Sequence, residues 1–336
     1  MSDWLPSGLF AYGAELAAAI DSRVGRALAG DGLHWIDAPR RLGSADLPSE
    51  PLRWGAGALC VDLGPDDGET WERFTEVHRN EDDPEAVATA AQQWRLPVTP
   101  YRRSPAVGVQ TGAEPSSDPQ GAAVSVEAAT VVDLTSMWAG PLCTELLGRA
   151  GAEVFKVESA ARPDGLTGSA MYDELNAHKT VTDLDLRNPA ERCHLDAMLQ
   201  SADLLVTSIS PRALANLELL PAQLGAAHPH VRTLAITAFE PGSPEADWVA
   251  YGTGVHAASG LGWLDDSPQA PAYSYPDPLA GLQAACSAVD QLAGAAPQHT
   301  RVSLAGAVAP LASRAACSRA GVASAPAARS GGDRHG

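Results

Sequence analysis

The sequence predicts an α/β protein: a mostly parallel sheet covered by helices on both faces, preceded by a smaller α+β unit. Three observations carry this. From about residue 126 onward, short apolar segments of strand type alternate with helical ones. That repetition implies parallel strands joined by crossover helices. Several of the helical segments open on a capping residue plus proline, such as "NPAERCHLDAMLQS" (188–201). At 336 residues and 45% hydrophobic, the chain has material for about two domains with real cores.

In chain order, residues 1–104 make the smaller α+β unit. "LRWGAGALCVDLG" (52–64) reads as a strand, and "GETWERFTEVHR" (68–79) as a helix with Trp71, Phe74 and Val77 on one face. "DPEAVATAAQQWRLPVTPYR" (83–102) reads as a helix capped by Asp83, with Pro84 at its first position, followed by an extended exit. Residues 105–125 are rich in Ser, Pro, Gly and Gln and read as a linker. The α/β core covers 126–312. Its strands are "ATVVDL" (129–134), "AEVFKVE" (152–158), "TVTDLDL" (180–186), "ADLLVTSIS" (202–210) and "VRTLAITAF" (231–239). Its helices include "GPLCTELLGRAG" (140–151), 188–201, a short one within 252–262, and "DPLAGLQAACSAVDQLAG" (277–294). "RVSLAGAVAPL" (301–311) has strand character. The Ala/Ser/Gly/Arg-rich tail 313–336 reads as disordered.

Composition narrows the function classes. A net charge of −18 opposes binding to nucleic acid or to an anionic membrane surface. No apolar run reaches membrane-span length, and the N-terminus lacks the basic and apolar regions of a signal peptide. Five scattered cysteines without a C-x-x-C pair fit reduced thiols, so a cytoplasmic location is expected and no metal site is. The turn after the first core strand contains neither G-x-G-x-x-G nor G-x-x-x-x-G-K-S/T, which disfavours a dinucleotide or a P-loop phosphate. Taken alone, it is one strand-to-helix turn among several, with backbone N–H groups at a helix start.

"VVDLTSMWAGPLCTELLGRAGAEVFKVES" resembles the opening of the class III CoA-transferases, the CaiB/BaiF family of formyl-CoA transferases and α-methylacyl-CoA racemases. Further blocks resemble the family in the same order: "NAHKTVTDLDLRNPAERCHLDAMLQSADLLVTSISPRAL", "HPHVRTLAITAFEPGSPEADWVAYGTGVHAASGL", "AYSYPDPLAGLQAA" and "QHTRVSLAGAVAPL". The resemblance covers about 185 residues, 129–314. It implies a Rossmann-like sheet and an interlocked homodimer. The N-terminal region is similar to the family's later part moved to the front, which implies a permuted chain or one cut from a two-copy ancestor.

The same resemblance implies site residues. Asp277 stands where formyl-CoA transferases carry the aspartate that attacks the acyl-CoA thioester. Its place before Pro278 at a helix start is also that of an ordinary N-cap, where the helix dipole favours the ionised form. Met137, Trp138 and Ala139 match the turn that binds CoA and frames the aspartate; Trp138 reads equally well as core. Ser208, Ile209 and Arg212 fall where the family contacts CoA, with Ser208 and Ile209 replacing an amide and an aromatic. Tyr251 stands where racemases place a catalytic His, and Gly252 where an Asp follows it. A phenol with a reference pKa of about 10 is a poor base near neutrality, so racemisation is disfavoured. His256 substitutes only if it shares that face, and reads more readily as structural. Lys156 and Lys179 read as solvated lysines at strand ends. The Arg that often follows K-V-E in the family is Ser159, and no glycine tetrad of the formyl-CoA transferase kind is found.

The expected activity is transfer of CoA between carboxylic acids through an aspartyl anhydride and thioester. Coenzyme A or acyl-CoA is the substrate, and no cofactor is permanently bound. The alternatives are an isomerase, racemase or lyase acting on an acyl-CoA in the same pocket, and a non-catalytic protein of the same fold.

Overall fold

The computed structural model describes residues 4–30, 32–42, 50–104, 124–264 and 266–323. Helices α1 (Leu9–Val24), α2 (Leu33–Ile36) and α3 (Ala38–Leu42) come first. Strands β1 (Leu52–Trp54) and β2 (Gly57–Val61), helices α4 (Gly68–His78) and α5 (Pro84–Gln93), and strand β3 (Val98–Pro100) follow. The three strands form an antiparallel sheet in the order β1-β2-β3. It has its own core of Leu59, Phe74, Val87, Ala88, Leu96 and Val98.

The larger part begins with β4 (Thr130–Leu134), α6 (Ala139–Arg149), β5 (Glu153–Glu158), α7 (Ala170–Leu175), β6 (Thr180–Asp183) and α8 (Pro189–Ser201). Next come β7 (Leu204–Thr207), α9 (Pro211–Asn216), α10 (Pro221–Ala227), β8 (Arg232–Thr237) and α11 (Gly252–Ala258). The short pair β9 (Trp263–Leu264) and β10 (Ser267–Pro268), then α12 (Pro276–Leu292), β11 (His299–Ser303) and α13 (Leu304–Ala323), complete it.

Six of these strands form one parallel sheet in the order β11-β8-β7-β4-β5-β6. The chain winds outward from β4 to β6 and then returns to β7 and winds to β11. The order therefore reverses between β4 and β7, the place beyond the carboxyl ends of the strands where sheets of this kind bind ligands. The period-2 geometry of a strand sends neighbouring residues to opposite faces. Val131, Val154, Leu204, Val206, Leu234 and Ile236 face one layer, built from α1, α6, α12 and α13. Val132, Leu134, Val157 and Leu205 face the other, which carries Leu195 and Leu199 of α8, Leu214 of α9 and Leu224 of α10. Burial of each large aliphatic side chain here stabilises by roughly 1.5–3 kcal/mol.

The capping logic of the sequence holds. Asp83 and Asn188 each accept a hydrogen bond from the second amide of their helix, with proline at the first position. Elsewhere the structure differs from the sequence reading. The strand read over 52–64 is a hairpin, β1 and β2, with its turn at 55–56. Helices α1–α3 were grouped with residues 1–104, but Leu16, Ile20, Trp35 and Ile36 belong to the large core, and α1 lies along α12. Their Ala-rich spacing carried no strong period. Val77 is 66% exposed while Phe74 is fully buried, because α4 turns only a narrow stripe inward. The strand read over 301–311 ends at Ser303, where Ser303 Oγ accepts the Gly306 amide at 2.8 Å and starts α13. That helix carries residues 313–323 of the tail read as disordered; 324–336 lie outside the described residues, as does nearly all of the linker 105–125.

Helix α11 joins the two parts, packing on β2, β3 and α12. The Thr99 hydroxyl donates to the Gly254 carbonyl at 3.1 Å, and Trp263 Nε1 donates to the Tyr101 carbonyl at 2.8 Å. Arg102 bridges Glu85 at 2.7 Å and Glu245 at 2.8 Å.

Candidate active site

The turn from β4 into α6 is held by buried ions. Asp133 accepts from the Thr135 hydroxyl at 2.5 Å, the Thr144 hydroxyl at 2.6 Å and Lys179 Nζ at 3.1 Å. Lys156 Nζ donates to the Thr135 carbonyl at 2.9 Å and pairs with Glu158 at 3.1 Å and Asp164 at 3.4 Å. Both lysine side chains are fully buried, contrary to their reading as solvated. Burial alone would push the Asp133 carboxyl up; Lys179, Lys156 and the two hydroxyls hold it below the ordinary value. Met137 takes a left-handed backbone, φ 67°, and its amide donates to Asp164 Oδ2 at 3.0 Å. A non-glycine residue there stores strain, and Asp164 is the acceptor that fixes it. Trp138 caps α6 by position and is 8% exposed within the large core; its Nε1–H has no hydrogen-bond partner among the described residues.

The second predicted segment meets the first at the strand-order reversal. Ser208 Oγ accepts the Ser136 amide at 3.3 Å, Ile209 is partly buried, and Arg212 is exposed in the first turn of α9. The start of α6 packs on the second turn of α12: a Cβ on Gly281 would stand 2.8 Å from the Ala139 carbonyl oxygen and 2.9 Å from Leu142.

Asp277 does not cap α12. The helix opens on Pro276, with Tyr275 at the cap position and no side-chain cap. The Asp277 carboxylate instead accepts a short hydrogen bond from the Ser274 hydroxyl and another from the Gly252 amide. Gly252 lies flat against this carboxylate; a Cβ there would overlap both Asp277 Oδ2 and Ser274 Oγ. Burial pushes the Asp277 carboxyl up to about 6, against these hydrogen bonds, and the charge of Asp62 adds to the rise. The ionising influence expected from the helix dipole is thus outweighed. At pH 7 the group is still mostly ionised, but it is a more basic carboxylate than usual.

Tyr251, directly before α11, is 41% exposed. Burial first, then Asp67 and Asp62, raise its phenol above the ordinary value, with Arg162 pulling the other way. It is a hydrogen-bond donor at neutral pH and no base. His256 is fully buried, with Nδ1 2.9 Å from the Tyr275 hydroxyl and Nε2 2.9 Å from the Gln269 carbonyl. Burial depresses it to about 4, so it is a neutral structural histidine. Sequence reasoning missed Asp62, Asp164 and Ser274. Ser274 stands three residues from Asp277 and was within reach of a local argument, whereas Asp62 comes from the other sheet and left no local signal. Among the described residues, no group of His, Cys, Asp and Glu forms a metal site, and no helix is long and apolar enough to cross a membrane.

Residues 127–336 match the model of CoA-transferase family III. The chain belongs to this family. Formyl-CoA:oxalate CoA-transferase of Rhodopseudomonas palustris (strain HaA2) is 30% identical over 181 residues, 50% of this chain and 42% of that protein. A probable CoA-transferase of Mycobacterium tuberculosis is 31% identical over 152 residues, 43% of this chain and 19% of that protein. A crystal structure of a CAIB/BAIF family protein from Brucella suis shares the fold, with a TM-score of 0.52 and 22% identity over 60% of this chain and 58% of that one. The chain spans about two fifths of the length of the formyl-CoA:oxalate relatives it matches.

Proposed function

We propose that the protein transfers CoA between carboxylic acids, with Asp277 as the nucleophile. The observation that carries this reading is the seat of Asp277: a carboxylate raised to about 6, ordered by Ser274 and Gly252, in the first turn of a helix packed beside the β4–α6 turn. The carboxylate attacks the acyl carbon of an acyl-CoA, forming a mixed anhydride and expelling CoA thiolate. The thiolate attacks the aspartyl carbonyl, releasing the first carboxylic acid and leaving an aspartyl-CoA thioester. An acceptor carboxylate then attacks that thioester, and the thiolate returns to the acceptor's acyl carbon, which restores Asp277. An anhydride retains the thioester's energy, which hydrolysis would lose.

Met137, Trp138 and Ala139 supply the backbone that faces the acyl oxygen, where N–H groups stabilise developing negative charge. Ser208, Ile209 and Arg212 line the path of CoA, with Arg212 as a phosphate partner. Tyr251 donates a hydrogen bond to the acyl or acceptor group. Racemisation is disfavoured, because Tyr251 is not a base and His256 is sealed in the core. A second copy of the chain, interlocked with the first as the family resemblance implies, completes the CoA channel. The test is exchange of isotopically labelled free acid into acyl-CoA by the purified protein. Exchange that disappears in Asp277→Asn supports the reading. Exchange unaffected by that substitution, or deuterium entry at the acid's α-carbon without CoA exchange, contradicts it.

A further inference from the structure

Two carboxylates, one following a strand of the small sheet and one in the first turn of α12, meet on three consecutive residues of α11. Gly252 lies against Asp277 and donates its amide to it. Thr253 donates its hydroxyl to Asp62 Oδ2, and the Gly254 amide bonds to Asp62 as well. Asp62 is the residue that follows β2, and the Cys60 thiol sits 3.4 Å from the same Oδ2. The small sheet is anchored here by Thr99, whose hydroxyl bonds to the Gly254 carbonyl at 3.1 Å. Among the described residues no cation pairs with Asp62; its partners there are a hydroxyl, a thiol and an amide. A half-buried carboxylate left without a counter-ion beside a second one is unfavourable for stability. Structures retain such an arrangement most readily where function needs it.

We infer that Asp62 is a positioning residue that activates Asp277: the small sheet, docked on α11 through Thr253, sets a second carboxylate next to the one proposed as nucleophile, which lies against Gly252. This inference rests on the proposed role of Asp277 and deepens it. The physical argument is short. A nearby like charge disfavours ionisation, and a more basic carboxylate donates its electron pair to an acyl carbon more readily. Burial supplies the larger part of the rise and Asp62 a further part, in the same direction. The arrangement also makes activation depend on the small sheet being docked, because β2 delivers the charge.

Other groups around Asp277 do not take this role. Tyr251 is neutral, and the charges of Asp67 and Arg162 bear on Tyr251. From α11, His256 is neutral and committed to Tyr275 and Gln269. From α1, Arg23 pairs with Asp290 at the far end of α12. From α6, Glu145 pairs with Arg149 and His178.

The experiment titrates Asp277 directly, by carbon-13 NMR of aspartate-labelled protein, with Asp277→Asn identifying the signal. Wild type is compared with Asp62→Asn, which retains an acceptor for Thr253, and with Asp62→Glu, which retains the charge. The Asp277 midpoint is expected to fall by about half to one pH unit in Asp62→Asn and to stay near that of wild type in Asp62→Glu. Backbone spectra establish that each variant is folded; if Asp62→Asn does not fold, Thr253→Val, which frees Asp62 to swing away, is expected to lower the midpoint as well. A midpoint unchanged in Asp62→Asn, or in Thr253→Val where that variant stands in, overturns the inference. Because the titration needs no substrate, it reads out even if Asp277 never forms an acyl adduct, so failure of the transferase reading and failure of this inference are separable.

Discussion

The β4–α6 turn and the surroundings of Asp277 lie at the same end of the molecule and treat charge in opposite ways. In the turn, every buried ion has a partner of opposite sign: Asp133 has Lys179, and Lys156 has Glu158 and Asp164. Asp133 is held below its ordinary range as a result. Around Asp277, Asp62 and Asp277 have hydroxyls and amides but, among the described residues, no cation, and both are raised. The turn is built to be rigid. The Asp277 site carries charge with no paired cation among the described residues, which is what the proposed nucleophile requires at neutral pH. Substitutions in the first region should therefore destabilise, and removal of charge in the second should stabilise.

The largest effect is expected in the turn. Asp133→Ala leaves Lys179 buried without its ion partner, and loss of one member of a buried pair costs about 3–5 kcal/mol. Urea denaturation reads this directly; a loss below about 1 kcal/mol would place the pair among weak surface bridges and erase the contrast. Gly252→Ala comes next. Its methyl overlaps Asp277 and Ser274, and overpacking of this kind costs about 1–3 kcal/mol. Its effect on chemistry should exceed its effect on stability, with acyl transfer falling more than about tenfold while the melting temperature moves by only a few degrees.

Asp277→Asn sharpens the comparison because its sign is opposite. The folded carboxyl binds its proton more tightly, near 6, than an unfolded aspartate at about 4. Its contribution to stability is therefore present in full below about pH 4 and is lost as pH rises through 6. The amide variant should match wild type near pH 4 and exceed it by about 1–3 kcal/mol above pH 6, allowing for solvent screening. A variant less stable than wild type at pH 8 would mean that Asp277 is a structural anchor. The smallest effect belongs to Trp138→Phe, which removes an indole N–H that has no partner among the described residues. A change of about 0–1 kcal/mol in either direction is expected in calorimetry, since the lost donor was unsatisfied and the lost ring volume is modest.

The same division governs how much was legible in the sequence. The turn could be read because its residues are contiguous and its strand–helix–strand pattern has a clear period; the fold class followed from that repetition. Asp277 and Tyr251 were reachable through the family resemblance, which fixes position along the chain. The burial of Lys156 and Lys179 was not legible. A lysine at a strand end looks the same whether its partners are water or Asp133 and Asp164, and those partners lie 8 to 46 residues away. Asp62 was hidden for a stronger reason: it bonds Thr253 across 191 residues of chain. No local pattern encodes a contact between the small sheet and α11. The Ala-rich α1 was missed because small residues blur the helical period, although Leu16 and Ile20 sit squarely in the core.

Whether Asp277 is a nucleophile is tested most directly by incubating the purified protein with an acyl-CoA and no acceptor acid, quenching in acid, and mapping the modified peptide by mass spectrometry. Trapping with hydroxylamine should convert Asp277, and no other carboxylate, to a hydroxamate, and Asp277→Asn should lose the signal entirely. An unmodified Asp277 in protein that binds the acyl-CoA, or the same modification on another side chain, would contradict the account.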